Sequence, residues 1–356
     1  MASSALIARA EALRPDPVLT VSEWADRHRI LSQAASEEHG PWRTSRVPYV
    51  REIMDTLAPQ HPAREVVWMK GAQVAGTEAG LNWLGFIIDH QPGPCLMVEP
   101  TLDMARRYSR QRLEPMIREC PTLAGKVRPP RVRDSGNTMM SKEFPGGIMI
   151  LTGANSAAGL RSMPARFLFL DEVDGYPSDV DGEGDPINLA IVRSRNFFRR
   201  KVFQVSTPTT KVTSRIEPAF LRGDQRVYLV PCPHCGHEQQ LKFGGRDTDF
   251  GLKWEPAQPE TAAYLCAGCH ALIEEHQKPA MLADGRWEAQ AKGALGVVSF
   301  HLSALYSPWL TWPELVGEWL KAQGSPFALK GFVNTVLGET WSESARSLSH
   351  DDLMLR

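Results

Sequence analysis

The sequence predicts an α/β fold of the P-loop NTPase kind (RecA-like, ASCE): a mainly parallel sheet flanked by helices, interrupted by a zinc-ribbon module. Three observations carry this expectation. Residues 167–174 read FLFLDEVD, an apolar run ending in the adjacent carboxylates Asp171 and Glu172. Upstream stands a strand (65–69), a small-residue loop (Lys70-Gly71-Ala72-Gln73-Val74-Ala75-Gly76-Thr77-Glu78) and a helical run to about residue 89. Downstream, two C-x-x-C pairs are separated by 30 residues. A buried strand that delivers two acids at its tip suits metal binding and water activation, although an acidic turn after a core strand looks the same in isolation. The loop upstream tips the balance, because strand, phosphate loop, helix and later an acidic strand tip are the order of parts in P-loop enzymes.

Taken in order, residues 1–17 (MASSALIARAEALRPDP) carry Arg9 and Glu11 and suit a short amphipathic helix ending at Pro15 rather than a secretory signal. Residues 22–29 and 47–57 read as helices around a turn at 40–43. After strand 65–69 and helix 77–89, a Pro/Gly turn at 91–94 leads to strand 95–99 and a helix over 102–119 bearing Arg106, Arg107, Arg110 and Arg112. Residues 126–133 are Pro/Arg-rich and read as an exposed connection. A hairpin is expected over 138–144 and 148–152 with Gly146-Gly147 at its turn. A small-residue segment then ends at Arg161. Residues 177–186 form an acidic, glycine-rich loop that lacks the terminal Glu of calcium loops. Helix 188–198 follows, then strand 201–205 running into Ser206-Thr207-Pro208-Thr209. Strands at 285–291 and 297–302 and helices at 312–322 and 326–337 complete the chain. The expected organisation is an N-terminal helical segment (1–60), the ATPase core (61–225), the zinc ribbon (226–275) and a C-terminal part (276–356).

Two registers of the phosphate-loop pattern compete. One begins at Gly71, matches both glycines, and puts Thr77 where lysine is expected. The other begins at Lys70, puts the hydroxyl of Thr77 correctly for magnesium, and moves the lysine to the head of the loop. The second keeps a cation and a magnesium ligand beside the phosphates and is preferred.

Cys232, Cys235, Cys266 and Cys269 form two knuckles whose four thiolates can close a tetrahedral structural zinc site with no position left for water. Gly236 and Gly268 supply turn freedom, and His237 and His270 are substitute ligands. Cys95 and Cys120 read as buried apolar residues. The formal net charge of −1 hides an asymmetry: residues 101–215 hold 19 Lys+Arg against 12 Asp+Glu. That excess is compatible with phosphate-backbone contacts or with a solvated basic face. No apolar run reaches the roughly 18 residues of a membrane helix.

The chain resembles the lambda-type (GpA) large terminase subunits of tailed phages. The resemblance rests on Gly40-Pro41-Trp42-Arg43-Thr44, Lys70-Gly71-Ala72-Gln73-Val74, Val98-Glu99-Pro100-Thr101, residues 155–161 (NSAAGLR), FLFLDEVDGYP, Ser206-Thr207-Pro208-Thr209, CPHCGH and Phe332-Val333-Asn334-Thr335. It spans nearly the whole chain, and a lysine at the head of the loop is among its marks. Two departures stand out: Ala75 where glycine is usual, and Gly76 where many P-loops carry lysine. The resemblance implies an ATPase that packages double-stranded DNA, with ATP and Mg²⁺ held by residues 70–77 and Asp171, and Thr77 and Asp171 on the magnesium. It implies Glu172 as general base, and Arg161 as an arginine finger toward a neighbouring subunit's nucleotide. Trp42, Arg43 and Tyr49 would lie on the adenine side, Tyr49 stacking on the base, and Ser206 and Thr207 would couple γ-phosphate loss to DNA. Partners implied are the small terminase subunit and the portal of the procapsid, in a homo-oligomeric ring in the cytoplasm of a bacterial host. Only about twenty residues follow the Phe332–Thr335 segment, and a nuclease fold needs on the order of ~100. The expectation is therefore an ATPase part without the family's nuclease domain and without DNA cleavage. A helicase-like DNA translocase of the same fold and a zinc-containing DNA-binding adaptor with a decayed P-loop are the alternatives.

Overall fold

A computed structural model describes residues 18–33, 38–127, 137–245 and 248–342. The expected N-terminal helix, most of the 126–133 connection and the last fourteen residues lie outside the described residues. The strands in chain order are β1 (Ile30–Leu31), β2 (Gly40–Pro41), β3 (Glu65–Lys70), β4 (Cys95–Glu99), β5 (Ser141–Phe144), β6 (Gly147–Gly153), β7 (Phe167–Asp171) and β8 (Lys201–Ser206). They continue with β9 (Arg226–Pro231), β10 (Glu238–Gln240), β11 (Gly251–Glu255), β12 (Gln258–Leu265), β13 (Leu272–Ile273), β14 (Arg286–Glu288) and β15 (Val297–Leu302).

Ten of these strands make one sheet in the order β10-β9-β15-β3-β8-β7-β4-β6-β5, with β14 also on β9. Its centre is parallel, from β9 through β15, β3, β8, β7 and β4 to β6; the edge strands β5, β10 and β14 are antiparallel. Parallel strands covered on both faces read as continuous apolar runs, and β4 and β7 are buried at every position. Successive residues nonetheless serve different layers. Val66, Trp68, Phe167, Phe169 and Phe203 join one core cluster, while Val67, Met69, Leu168, Leu170 and Val202 join the other. On the first face Trp83 of the helix Gly76–Asp89 meets Phe167, Phe169 and Phe203 edge-on at 6.0–6.4 Å. Gly80 lets that helix close on the sheet, since a Cβ there would lie 2.2 Å from the Phe169 ring.

Most elements fall where the sequence places them, including the Ser141–Phe144/Gly147–Gly153 hairpin. Two local differences have local causes. The helix expected over 188–198 is Pro186–Val192, begun by the Asp185 side chain accepting from Asn188 N. The run 102–119 is one α-helical course interrupted by a π-turn at Ser109–Leu113. A larger difference concerns neighbours. β15 pairs residue for residue with β3, Val297 opposite Glu65 through Leu302 opposite Lys70, so the sheet runs across the expected boundaries at 225 and 275. Periodicity identifies a strand but not the strand beside it.

Candidate nucleotide site and four-cysteine cluster

β3 delivers Lys70 at its C-terminal end, and six residues later the helix Gly76–Asp89 begins with no side chain capping its first N–H groups. Free N–H groups at a helix start suit an anion. The loop between is anchored from below: Gly71 N donates to Leu302 O (2.8 Å) and Ala72 N to Thr335 O (2.6 Å). Gln73 (φ 56°) and Ala75 (φ 63°) both adopt the left-handed region. Ala75 thus holds the backbone shape that glycine usually supplies, at a cost of about 1–2 kcal/mol. Gly76 explains the displaced lysine. A Cβ at 76 would sit 2.4 Å from Lys70 Cε and 2.8 Å from Cδ, so the lysine stem occupies the space of a side chain at 76. The lysine at 70 and the glycine at 76 are one arrangement: the Lys70 stem fills the space that a side chain at 76 would take.

Lys70 Nζ reaches Glu172 Oε1 at 3.3 Å. Glu172 directly follows β7 in a left-handed conformation (φ 48°, ψ 52°), which turns its carboxylate back toward the loop. Its other oxygen accepts from Thr207 N (3.3 Å) and Ser206 Oγ (3.4 Å) at the end of β8. Asp171 is 5 % exposed and accepts from Glu172 N at 3.1 Å. Burial, reinforced by the neighbouring Glu172 charge and opposed by Lys70, pushes its carboxyl up to about 7. Glu99, 4 % exposed at the tip of the adjacent β4, is pushed up to about 9 by burial and then by Asp171 and Glu172. Three carboxyls therefore stand near one another at the ends of two adjacent strands with one nearby ammonium; their oxygens are the ligand type of a hard divalent cation, but they do not gather as closely as the four cysteines described below. Sequence reasoning missed Glu99 as part of this group. Its signal was present, an apolar strand ending in an acid, but the β4–β7 adjacency that brings it to Asp171 was not legible.

The last acid of FLFLDEVD, Asp174, is a scaffold. It accepts from Thr209 N (2.7 Å), Thr209 Oγ1 (2.9 Å), Arg215 N (2.7 Å) and Ile216 N (2.8 Å), and its own N donates to Ser206 Oγ (3.1 Å). Arg161 stands outside the network around Lys70: it is exposed and pairs with Glu183 at 2.8 Å, on the acidic loop.

A cavity of about 520 Å³ lies over the loop, lined by Lys70, Gln73–Glu78, Arg112, Trp309, Leu310 and Glu38. Thr77, in the first helical turn, faces it. A second cavity of about 280 Å³ shares Glu38, Glu78 and Trp309 with it and is lined by Trp42, Arg43 and Arg46. Trp42 is buried and its Nε1 donates to Thr44 Oγ1 at 3.0 Å, leaving only part of the indole on the cavity wall. Tyr49 does not take the position expected of it. It is fully buried, edge-on to Tyr228 at 6.0 Å, and its carbonyl accepts from Trp287 Nε1, so its ring offers no face to a base. The amphipathic pattern around Tyr49 is core packing. The aromatic that does face both cavities is Trp309, 38 % exposed, with Nε1 donating to Glu38 Oε1 at 3.0 Å. Nothing in the sequence distinguished it; the β15–β3 pairing carries it there. Arg112, counted in the basic helix, faces the loop cavity and lies 3.9 Å from Glu78.

Away from this site the four cysteines of the two knuckles gather with all four Sγ atoms within 4.8 Å of one another. Cys232–Cys269 and Cys235–Cys266 are each 3.9 Å apart. Tetrahedral thiolates at the usual zinc–sulfur distance stand about 3.8 Å apart, so the arrangement fits one metal ion. His234 N and Gly268 N donate to the first sulfur of each knuckle (3.4 and 3.3 Å). The expected glycine roles divide. Gly236 does take a positive φ (74°), but in the second knuckle the equivalent position is His270 (φ 56°). Gly268 is needed because a Cβ would collide with the His237 ring at 2.7 Å.

Residues 36–287 match the family described as phage terminase large subunit gpA, ATPase domain. Residues 297–356 match the terminase large subunit gpA endonuclease domain. The expectation of a chain without nuclease-domain sequence is thereby corrected in part, although the match opens on β15, a central strand of the sheet described above. The chain is 33% identical over 361 residues to the terminase large subunit of Enterobacteria phage P21, covering 96% of this chain and 55% of that protein. It is 32% identical over 353 residues to the terminase large subunit of Escherichia phage lambda, covering 92% and 53%. The chain thus spans about half the length of these relatives. The crystal structure of the HK97 bacteriophage large terminase shares the fold, with a TM-score of 0.55 at 13% identity over 93% of this chain and 59% of that one. No helix among the described residues is long and apolar enough to cross a membrane. From its sequence matches, the chain belongs to the phage terminase large subunit gpA family.

Proposed function

We propose that this chain is the ATP-hydrolysing motor part of a terminase, using ATP to drive double-stranded DNA into a procapsid. The observation that carries the reading is the Lys70 stem lying over Gly76 with its ammonium 3.3 Å from Glu172. A cation and a helix start line one cavity of a size suited to a nucleotide, and the tandem carboxylate reaches that site through the Lys70–Glu172 pair. The phosphates would lie along Lys70, Gly71, Ala72, Gln73, Val74, Ala75, Gly76 and Thr77, with Lys70 offsetting their charge. Thr77 and Asp171 would hold Mg²⁺, which when bound neutralises charge on the phosphates. Glu172, oriented by Thr207 N and Ser206 Oγ, would take the proton of the attacking water. Ser206 and Thr207 would sense the γ-phosphate through that same carboxylate. Trp309, with Trp42 behind it, would wall the base side in place of Tyr49. Arg161, exposed and bound only to a surface acid, would serve a neighbouring subunit's nucleotide in a ring. Cys232, Cys235, Cys266 and Cys269 would hold a structural Zn²⁺. Small terminase subunit and portal are the partners, in the host cytoplasm.

Steady-state phosphate release tests the reading. The chain should hydrolyse ATP faster with duplex DNA present, and Lys70→Ala should lose at least about tenfold in kcat/KM. Turnover no different in Lys70→Ala would refute it.

A further inference from the structure

The Phe332–Thr335 segment has no part in the chemistry above, yet it is bonded into it. The π-helical turn Val333–Leu337 closes the C-terminal helix Pro326–Phe332, and the chain then crosses beneath the phosphate loop. Thr335 O accepts from Ala72 N at 2.6 Å. Two glycines make so close an approach of backbones possible. A Cβ on Gly71 would be 2.9 Å from Thr335 O and Val336 O, and one on Gly338 (φ +68°) would be 2.7 Å from Gly71 N. His301 Nε2 lies 3.1 Å from Gly338 O and braces the same crossing from β15.

One residue before the bond to Ala72, Asn334 turns the other way. It is 8 % exposed, and its Nδ2 donates to Thr209 O (2.7 Å) and Glu339 O (2.8 Å). Thr209 O also accepts from Trp341 N (2.9 Å), and Lys211 N donates to Trp341 O (2.9 Å). Thr209 is in turn held by Asp174, whose N–H meets Ser206 Oγ, which contacts Glu172. A continuous hydrogen-bonded path therefore runs from the loop that would hold the phosphates, through residues 334–341, to the hydroxyl loop beside the carboxylate.

We infer that Asn334 is a positioning residue that couples the phosphate loop to the Ser206–Thr209 loop. Residues 333–341, which fall within the part matching the endonuclease domain, order and loosen with the nucleotide state. Both amide hydrogens of Asn334 are used, so the coupling depends on a donor at this position rather than on bulk. A carboxylate of the same shape faces two carbonyl oxygens with nothing to donate. The inference rests on nucleotide binding at Lys70–Thr77.

Amide hydrogen exchange on the whole chain, with and without a non-hydrolysable ATP analogue, tests it. In the wild type the analogue should slow exchange over 70–77 and, together with it, over 333–341 by about tenfold. In Asn334→Asp the protection of 70–77 should persist while that of 333–341 disappears. The same variant should lose about tenfold in kcat with KM for ATP changed less than about threefold. A purely structural asparagine would instead weaken protection everywhere and leave the turnover of folded molecules unchanged. Protection of 70–77 without 333–341 in the wild type overturns the inference, whether or not the variant folds. Unchanged turnover and exchange in a folded Asn334→Asp overturn it too. No protection at 70–77 overturns the nucleotide reading itself, and the coupling with it.

Discussion

Replacing Glu172 by Gln separates its chemistry from its structural contacts. The Glu172 side chain is 40 % exposed and its ion pair with Lys70 spans 3.3 Å. Lys70 is buried at 9 % side-chain exposure, but solvent at the Glu172 end screens the pair to about 1 kcal/mol. The amide oxygen of Gln still accepts from Thr207 N, and Gln suffers the left-handed backbone no more than Glu does. Folding should therefore change little, with a melting midpoint within about 2 °C of wild type. What is lost is the proton acceptor, typically about 10²–10⁴-fold in rate. A thousandfold loss corresponds to about 4 kcal/mol of transition-state stabilisation. ATP affinity should hold or tighten, because Lys70 no longer shares its charge with a carboxylate. Phosphate release at saturating ATP gives kcat, and equilibrium titration with a fluorescent ATP analogue gives affinity. A kcat within about threefold of wild type, with binding intact, would refute the assignment of Glu172 as base.

Other outcomes follow from the same geometry. Gly76→Ala puts a Cβ 2.4 Å from Lys70 Cε and must move the lysine; KM for ATP should rise about tenfold even though Ala is favoured over Gly in helices by about 1 kcal/mol, as titration and thermal melts would show. Metal analysis should find zinc bound in the four-cysteine cluster, and Cys266→Ser should lose it and melt several degrees lower, about 2 kcal/mol being enough for that shift. Lys201 is buried with Nζ donating to the carbonyls of Thr56 (2.9 Å), His61 (2.8 Å) and Ala63; Lys201→Met should cost about 2–4 kcal/mol in denaturant unfolding by leaving them unpaired. Burial also pushes the Lys201 ammonium down to about 7, so between that pH and its ordinary value of about 10.4 the unfolded chain binds the extra proton. This group's penalty is full below pH 7 and fades as pH rises, so wild type should gain stability over that window by an increment the Met variant lacks.

How far the site was legible depended on how local its cause was. Asp171 and Glu172 were legible because a strand buried on both faces must be apolar, and its abrupt end in two acids breaks the pattern. The displaced lysine was legible as a register choice, but its reason was not: only the approach of Lys70 to Gly76 shows why both positions differ from the common motif. The resemblance alone puts Tyr49 on the adenine side, and the sequence around it does not tell a ring that faces a ligand from one that, like Tyr49, packs in the core.

The chain's own order of residues determined that there would be an apolar strand carrying tandem acids, a small-residue loop headed by a lysine, and two cysteine knuckles. These follow from period, turn chemistry and ligand spacing, which act over a few residues. The tertiary structure alone decided that β15 lies against β3, that Glu99 stands beside Asp171, that Trp309 faces the loop, and that Asn334 spans the phosphate and hydroxyl loops. Each depends on which strand lies next to which, set by the packing of whole faces from distant segments, and that leaves no mark in a local pattern.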